Sequence, residues 1–347
     1  MGHDLILLGS SAGGVDALCG LCRDLKADLP AAILVVQHVA PTARSLLPEI
    51  LSRCGALPAL RAHEGDEILP GRIYVAPPDH HLLVNRDDHR LMLRRGPQEN
   101  RTRPAIDPLF RSAAVAFGPR VIGVVLSGLL DDGTAGLVAV KACGGLSVVQ
   151  DPDDAAWPDM PRNALRGDSP DHCVPLADMA ALLDRLARSP AGPARPVPPR
   201  IAMEARIAEK EIADMAGETE QLGPPSRMSC PQCGGVLNEI EDPKTTRFRC
   251  QIGHAYGPES LAASQADALE EALATAVRTH HERQVLFRRM EDAARGRGMM
   301  LAAARWDRAA REAGQAATLI QTAAEILRKS AAEEEEAEAA AGPAEPA

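Results

Sequence analysis

Aromatic residues are scarce in this sequence: phenylalanine, tryptophan and tyrosine together make up only 2% of its 347 residues. The chain therefore has little material for the aromatic stacking by which proteins bind single-stranded nucleic acids. Its formal net charge of -10 also opposes binding to a phosphate backbone. We therefore expect no nucleic-acid partner for this protein.

The sequence also lacks an export signal or a membrane-spanning run at its start. Residues 1–8 carry no basic leader, and the apolar stretch gives way to polar residues after four positions. We expect a cytoplasmic protein with no membrane insertion. Eight cysteines in such a chain indicate buried thiols or metal ligands rather than a disulfide framework.

Short apolar runs alternate with helix-spaced segments through the first half of the chain. The runs are continuous and aliphatic, which is typical of strands buried on both faces, and they occupy residues 5–8, 31–36, 72–76, 121–126 and 146–149. Apolar residues recur at helical spacing in residues 14–27, 107–117 and 133–143. This alternation predicts an α/β fold with a doubly wound, mainly parallel sheet.

Changes in composition divide the chain into five predicted regions. The α/β domain is expected to end before a proline-rich stretch, residues 189–200, which can form neither a helix nor a central strand. We predict a domain at 1–188, a linker with a short helix at 189–229, a zinc-binding module at 230–258, a helical region at 259–330 and a disordered acidic tail at 331–347. The proline-rich linker predicts that the first domain can fold and work separately.

A G-x-S-x-G motif directly follows the first predicted strand and precedes a predicted helix, which is the setting of a nucleophilic serine. It reads Gly9-Ser10-Ser11-Ala12-Gly13, and the spacing selects Ser11 over Ser10. At a helix N-terminus, backbone amides favour a developing oxyanion. A dinucleotide-binding G-x-G-x-x-G loop would need glycine in place of Ser11, although a looser anion-binding turn stays open.

Two further polar groups follow predicted strands and complete a possible catalytic set. His38 comes after the strand at 31–36, and Asp131 and Asp132 come after the strand at 121–126. Because parallel strands end at the same edge of a sheet, a histidine base and its carboxylate partner would meet Ser11 there. Taken singly, the histidine could satisfy local backbone and an aspartate could cap a helix. The order Ser, His, Asp differs from that of the α/β-hydrolases, which disfavours that fold.

Over about residues 5–183 the sequence resembles the catalytic domain of the chemotaxis protein-glutamate methylesterases, the CheB type. The likeness is carried by Leu8-Gly-Ser-Ser-Ala-Gly-Gly14, Val36-Gln-His38, Pro70-Gly-Arg-Ile-Tyr-Val-Ala-Pro77, Arg103-Pro104, Gly123-Val-Val-Leu-Ser-Gly128 and Gln150-Asp151-Pro152. The resemblance implies hydrolysis of glutamyl methyl esters on methylated chemoreceptors, without a cofactor for catalysis. It implies catalytic roles for Ser11, His38 and Asp132, and an oxyanion hole formed by the amides of Ala12 and Leu129.

The sequence departs from the usual pattern of this family in three places. The strand leading to Ser11 begins almost at residue 1, so we expect no regulation through a phosphorylated receiver domain of its own. The usual Gly-Met-Gly-x-Asp-Gly reads Gly128-Leu-Leu-Asp-Asp-Gly133. Ala12 stands where a threonine often follows the nucleophile, so no hydroxyl assists there.

Two pairs of metal-binding residues lie in the second half. Cys230 and Cys233 form a C-x-x-C turn, and Cys250 and His254 follow after sixteen intervening residues. Four such ligands are typical of a closed, tetrahedral zinc site that stabilises a fold. A second C-x-x-C, residues 19–22, lies in an apolar helical pattern without a partner pair, and we expect inert buried thiols there.

Other functions remain open from the sequence. Deamidation of receptor glutamines would pass through the same glutamyl acyl-enzyme as ester hydrolysis. A non-catalytic adaptor, built on a hydrolase fold with a zinc module, is the alternative from a different class. The long helical region also offers a docking surface for a separate regulatory protein.

Overall fold

The computed structural model describes residues 2–210, 219–242 and 244–341. For residues 220 and 330–341 it describes the backbone only. The chain forms two compact units, Met1–Ala262 and Ala263–Ala347.

A seven-stranded sheet is the centre of the first unit. In chain order its strands are β1 (Leu5–Ser10), β2 (Ala32–Gln37), β3 (Ala59–Arg61), β4 (Ile73–Val75), β7 (Val121–Val125), β8 (Leu146–Gln150) and β9 (His172–Val174). They lie side by side in the order β3-β4-β2-β1-β7-β8-β9, and every neighbouring pair is parallel. A separate hairpin consists of β5 (His81–Val84) and β6 (Leu91–Arg94). The predicted doubly wound parallel sheet is confirmed.

Helices cover both faces of this sheet. They are α1 (Gly14–Asp24), α2 (Leu47–Cys54), α3 (Ile106–Phe117), α4 (Thr134–Ala142), α5 (Asp159–Asp168), α6 (Leu176–Arg188) and α7 (Pro199–Glu209). Leu5 and Leu7 of β1 pack in one hydrophobic cluster with residues of α3 and α4, while Ile6 and Leu8 pack in another with residues of α1 and α6. Both faces of the strand are therefore buried, which is why the sequence shows continuous apolar runs instead of alternation.

The strand order reverses between β1 and β7. From β1 the chain builds β2, β3 and β4 on one side of the sheet, and it then crosses over to build β7, β8 and β9 on the other side. In sheets of this kind, ligands bind outside the carboxyl ends of the strands where the order reverses. Ser11, His38 and residues 126–133 follow β1, β2 and β7, so all three segments begin at this edge.

The rest of the first unit contains a small antiparallel sheet. Its strands are β10 (Pro225–Ser229), β11 (Val236–Glu241), β12 (Thr246–Cys250) and β13 (Ala255–Tyr256), paired in that order. We call residues 225–257 the C-terminal module. Within the predicted linker region, residues 189–229, the structure contains α7, whose Ile201 joins the core of the large sheet. Residues 211–218 lie outside the described residues.

Most of the second unit is a helical hairpin. It consists of α8 (Pro258–Gly296), which starts within the first unit, and α9 (Met300–Ala341), with Gly298 at φ 71° in the turn between them. Phe287 of α8 stacks on Trp306 of α9, with ring centroids 5.7 Å apart. Helix α9 extends to Ala341, where the sequence predicted a disordered tail from residue 331, because alanine and glutamate favour helix. Residues 342–347 lie outside the described part.

The helices of the second unit are long but not apolar enough for a bilayer. Among the described residues, no helix combines the length and hydrophobicity that crossing a membrane requires.

Gly55 provides a test of how helix α1 packs against α2. A Cβ atom at Gly55 would lie 1.9 Å from the backbone oxygen of Cys22, so a side chain there forces two backbone segments apart. We expect Gly55→Ala to lower the free energy of unfolding by about 1–3 kcal/mol or more. The matched control is Gly192→Ala, because nothing lies within 4 Å of a Cβ at Gly192. Thermal unfolding of both variants checks this; equal melting temperatures would contradict the packing described here.

Candidate active site and metal cluster

Ser11 is held at the end of β1 by its backbone. Its N–H donates to the carbonyl of Ser127 at 3.0 Å, and its carbonyl accepts from the Gly14 amide at 2.9 Å and from Gln37 Nε2 at 2.8 Å. The left-handed conformation of this turn falls on Gly13, at φ 70°, which also lies directly before α1. The tight turn thus places Ser11 beside the helix N-terminus without requiring a positive φ at the serine itself.

The two serines of the motif have different environments. Ser10 is fully buried, and its hydroxyl donates to Gln37 Oε1 at 2.8 Å. Ser11 is partly exposed, and within the described residues its hydroxyl makes no hydrogen bond. A Cβ at Gly128 would come within 2.8 Å of the Ser11 Cβ, so the glycine allows the loop after β7 to approach the serine closely. This environment agrees with the selection of Ser11 over Ser10.

His38 and Asp132 are joined directly. His38 Nε2 lies 2.7 Å from Asp132 Oδ2, and the two side chains are only 12% and 2% exposed. Because the carboxylate is an acceptor, Nε2 carries the proton and Nδ1 is left as the acceptor of the neutral ring. The His38 amide donates to the Ser10 carbonyl at 3.0 Å, which ties the end of β2 to the end of β1.

Asp132 accepts four hydrogen bonds besides that of His38. Oδ2 also accepts from the Ile106 amide at 2.7 Å, and Oδ1 accepts from the Asp107 and Gly133 amides and from Asn100 Nδ2, at 3.1, 2.9 and 2.8 Å. Burial alone would raise the pKa of Asp132, but the hydrogen bond and charge of His38, and then these other donors, hold it below its usual value. The side chain is therefore a fixed anion.

The Asp131 side chain contacts the start of α8 and not His38. Its carboxylate accepts from the amides of Glu259 and Ser260, at 3.1 and 3.3 Å, and from the Ser260 hydroxyl, so it caps the start of α8. Burial raises the pKa of Asp131 to about 6, against the lowering effect of the Ser260 hydrogen bond. Of the two adjacent aspartates, Asp132 is the one that contacts His38.

The loop between β7 and α4 departs from the glycine pattern of the family, and one non-glycine residue in it has a left-handed backbone. Leu130 stands where the family pattern has its second glycine, and it has φ 63°. For a leucine this conformation costs roughly 1–2 kcal/mol. The Leu130 carbonyl accepts from Asn163 Nδ2 at 2.9 Å, which helps to hold it.

Two backbone amides at this edge are uncommitted. Within the described residues, the amides of Ala12 and Leu129 donate no hydrogen bond. Ala12 follows Ser11 in the chain and Leu129 follows Gly128, and Ser11 and Gly128 approach each other closely. Uncommitted backbone amides are the donors from which an oxyanion hole is built.

Sequence reasoning assigned no role to two buried residues of the site, Asn100 and Asp107. Asp107 Oδ1 accepts from the amides of Gly133 and Gly136 at 3.0 and 2.6 Å, and it so caps α4. Burial, and then the charge of Asp132, raise the pKa of Asp107 to about 8. Both residues flank the Arg103-Pro104 match to the family, and Asp107 is itself part of that match, whereas Asn100 had no sequence signal.

The four predicted metal ligands meet in the C-terminal module. The ligand atoms of Cys230, Cys233, Cys250 and His254 all lie within 4.8 Å of one another. The Cys233 and Cys250 sulfurs are 3.7 Å apart, and His254 Nδ1 lies 3.5 Å from the Cys250 sulfur. Tetrahedral zinc bond lengths require about 3.8 Å between two sulfurs and about 3.5 Å between sulfur and nitrogen. The spacing therefore fits a tetrahedral zinc ion.

Cys19 and Cys22 lie on α1 and not in this cluster. Cys22 belongs to the hydrophobic core, and Cys19 packs partly buried against that core. Burial raises the pKa of Cys22 to about 12 and that of Cys19 to about 11, so the thiols are not nucleophilic at neutral pH.

The fold and this site define a parallel α/β protein with serine, histidine and aspartate at the carboxyl edge of its sheet. Residues 6–183, just over half of the 347 residues, match the CheB methylesterase family. The chain belongs to this family.

Similar proteins share this half of the chain. A protein of Leptospira interrogans, named for protein-glutamate methylesterase and protein-glutamine glutaminase activities, is 37% identical over 186 residues, which cover 54% of this chain and 96% of the relative. A protein-glutamate methylesterase/protein-glutamine glutaminase of Geobacter metallireducens is 35% identical over 52% of each chain. The crystal structure of the Thermotoga maritima CheB methylesterase catalytic domain matches with TM-score 0.51 and 30% identity, over 54% of this chain and 99% of that one.

The hydrogen bonds of the two aspartates predict different effects of substitution. Asp132→Asn removes the anion that fixes the His38 tautomer, and we expect kcat to fall by roughly 10³- to 10⁴-fold. Asp131→Asn disturbs a helix cap that does not touch His38, and we expect kcat to stay within about tenfold of the wild type. Steady-state hydrolysis of a model ester measures both. If Asp131→Asn lost more activity than Asp132→Asn, the catalytic carboxylate would be that of Asp131 and the assignment to Asp132 would be wrong.

Proposed function

We propose that the protein is a cytoplasmic protein-glutamate methylesterase, which hydrolyses methyl esters of glutamyl side chains on a chemoreceptor-type protein. The observation that carries the proposal is the buried hydrogen bond between His38 and Asp132, at the same sheet edge as Ser11. The family match, and the names of the Leptospira and Geobacter relatives, supply the substrate class.

In the proposed reaction, Ser11 is the nucleophile and His38 is the base. The Ser11 oxygen attacks the ester carbonyl while His38 Nδ1 accepts its proton, because Nε2 is committed to Asp132. The His38 cation is stabilised by the Asp132 anion, which itself stays ionised. In the free enzyme a catalytic hydrogen bond is often long, so the absence of one at the Ser11 hydroxyl in the described structure does not oppose this step.

The remaining steps use groups at the same edge. The Ala12 and Leu129 amides would hold the oxyanion of the tetrahedral intermediate, since neither donates elsewhere within the described residues. His38 then returns the proton to the leaving methoxide, and methanol departs from a glutamyl ester of Ser11. A water molecule, deprotonated by His38, hydrolyses this ester and regenerates the serine.

Deamidation of glutamine is a second candidate activity. It would produce the same glutamyl ester of Ser11, with ammonia as the leaving group in place of methanol. Its support is the glutaminase activity in the names of both relatives.

Ser11 and Ser10 give a matched pair of variants for the proposed function. Ser11→Ala removes the nucleophile, and we expect kcat to fall by roughly 10³-fold or more with no change in melting temperature. Ser10→Ala removes one buried hydrogen bond to Gln37, so it should cost about 1 kcal/mol of stability and little activity.

The measurement is release of labelled methanol from methylated receptor membranes. Release of ammonia from receptors carrying glutamine at the same sites tests the second activity in parallel. Near wild-type methanol release by Ser11→Ala would exclude Ser11 as the nucleophile.

We also propose that Cys230, Cys233, Cys250 and His254 hold one structural zinc ion. Support comes from the ligand types and from sulfur and nitrogen spacings that fit a tetrahedron. Such an ion, when bound, would supply folding energy and no step of the ester hydrolysis.

Elemental analysis tests the zinc site. Wild-type protein should contain about one zinc ion per chain, since four ligands fill one tetrahedral site. Cys250→Ser should lose the ion and unfold at a lower temperature, while Cys173→Ser, at an exposed cysteine outside the cluster, should keep it. Stoichiometric zinc in Cys250→Ser would show that the ligands lie elsewhere.

A further inference from the structure

The Asn100 side chain connects the site to the C-terminal module. Asn100 Nδ2 donates to Asp132 Oδ1 and to Asp107 Oδ2, both at 2.8 Å, and its Oδ1 accepts from the Gly257 amide at 2.9 Å. Asn100 is buried, so none of these bonds is exchanged readily for a bond to water. One side chain thus joins the carboxylate that holds His38 to the backbone that follows β13.

The Asn100 backbone is held by the same module. Its N–H donates to the Ala255 carbonyl at 2.8 Å, and the Ala255 N–H donates to the Gln98 carbonyl at 3.3 Å. Asn100 has φ 48°, a left-handed conformation that asparagine accepts more readily than most residues. The position of its side chain therefore depends on β13 as well as on the local turn.

Buried charges join the module to the α/β fold. Glu99 lies 2.7 Å from Arg111 on α3 and 2.7 Å from Arg249 on β12, and Glu204 on α7 makes a paired contact with Arg247, at 2.8 and 2.9 Å. All five side chains are 9% exposed or less. Removing one partner from such a network is strongly destabilising, because it leaves a buried charge uncompensated. These contacts pack the module within the first unit. That the first domain folds and works separately stays a prediction.

The metal cluster lies directly beside these contacts. Arg249 precedes the ligand Cys250, and Ala255 follows the ligand His254. Arg249 Nη1 also donates to the Gly253 carbonyl at 2.9 Å, within the turn between the two ligands. The turn between Cys250 and His254 therefore holds Arg249, which binds Glu99. It also positions the Ala255 carbonyl, which accepts from the Asn100 amide.

We propose that Asn100 is a positioning residue for Asp132, and that the C-terminal module holds Asn100 in the position from which it donates to that carboxylate. The inference rests on the proposed esterase function. The Leptospira relative is matched over 96% of its length by 186 residues of this chain, which leaves no room in that relative for a counterpart of the C-terminal module.

Two substitutions at Asn100 separate its roles. Asn100→Gly removes all three side-chain hydrogen bonds while allowing the left-handed backbone. Asn100→Asp keeps an acceptor for the Gly257 amide but loses the donor to Asp132. We expect both to lower kcat by about 10- to 100-fold, the effect of losing a hydrogen bond to a charged group, with KM unchanged.

The module side of the contact has its own variant. A Cβ at Gly257 would lie 2.0 Å from Asp131 Oδ2, so Gly257→Ala should push this segment away and weaken its bond to Asn100. Zinc content should stay at the wild-type level, because none of the four ligands changes. Gly192→Ala, which adds the same methyl group in open space, is the control and should leave kcat unaltered. Combined with Asn100→Gly, the Gly257→Ala effect should be far less than additive, since both act through one side chain.

The readouts are chosen to separate positioning from folding. Labelling of Ser11 by a fluorophosphonate, counted by intact mass spectrometry, gives the concentration of folded active sites and allows kcat to be stated per site. The downfield proton resonance of the His38 to Asp132 hydrogen bond reports on the geometry without any substrate, and it should shift or broaden in Asn100→Gly and Gly257→Ala.

These readouts distinguish two kinds of failure. If the wild type shows the proton resonance but neither labels at Ser11 nor releases methanol, the proposed function is wrong, and the resonance in the variants still decides the role of Asn100. An unchanged resonance and an unchanged kcat per site in both Asn100 variants would overturn the inference. Fully additive effects of Asn100→Gly and Gly257→Ala would overturn the link to the module.

Discussion

The Asp132 carboxylate is the group around which the candidate active site is organised. A buried anion must be compensated, and Asp132 is compensated by five donors that come from four different parts of the chain. Two of them are the first amides of α3, a helix whose own preceding residue, Ala105, offers no side-chain cap. The carboxylate therefore caps α3 and orients His38 at once, which couples the packing of that helix to the protonation state of the site.

Two neighbouring aspartates cap other helices in the same way. Asp107 accepts from the amides at the start of α4, and Asp131 accepts from those at the start of α8. Their environments separate their chemistry: Asp132 is held as an anion by His38, whereas burial and the Asp132 charge raise the pKa of Asp107. Asp132 is thus held as an anion while burial favours the neutral form of Asp107, which reduces the repulsion between these two carboxyl groups.

The pattern of the sequence was sufficient for the parallel sheet and for most of the candidate site. Continuous apolar runs predicted the central strands, because a strand covered on both faces carries apolar side chains at consecutive positions. The short strands β3 and β9 have three residues each, with exposed positions, and gave no such signal. The acidic end of the chain was predicted to be disordered, yet α9 extends to Ala341 because its alanines and glutamates favour helix locally.

What the sequence determined by itself was local: the serine turn after β1, the histidine after β2, and the spacing of two ligand pairs. Each depends on neighbours within a few residues, so it can be recognised from the sequence alone. Residue spacing left Asp131 and Asp132 open, and the family resemblance favoured Asp132. The tertiary structure places Asp132, and not Asp131, against His38, since adjacent side chains point in different directions. It alone revealed Asn100, whose partners Asp132 and Gly257 lie 32 and 157 residues away, because no periodicity encodes contacts between such distant segments.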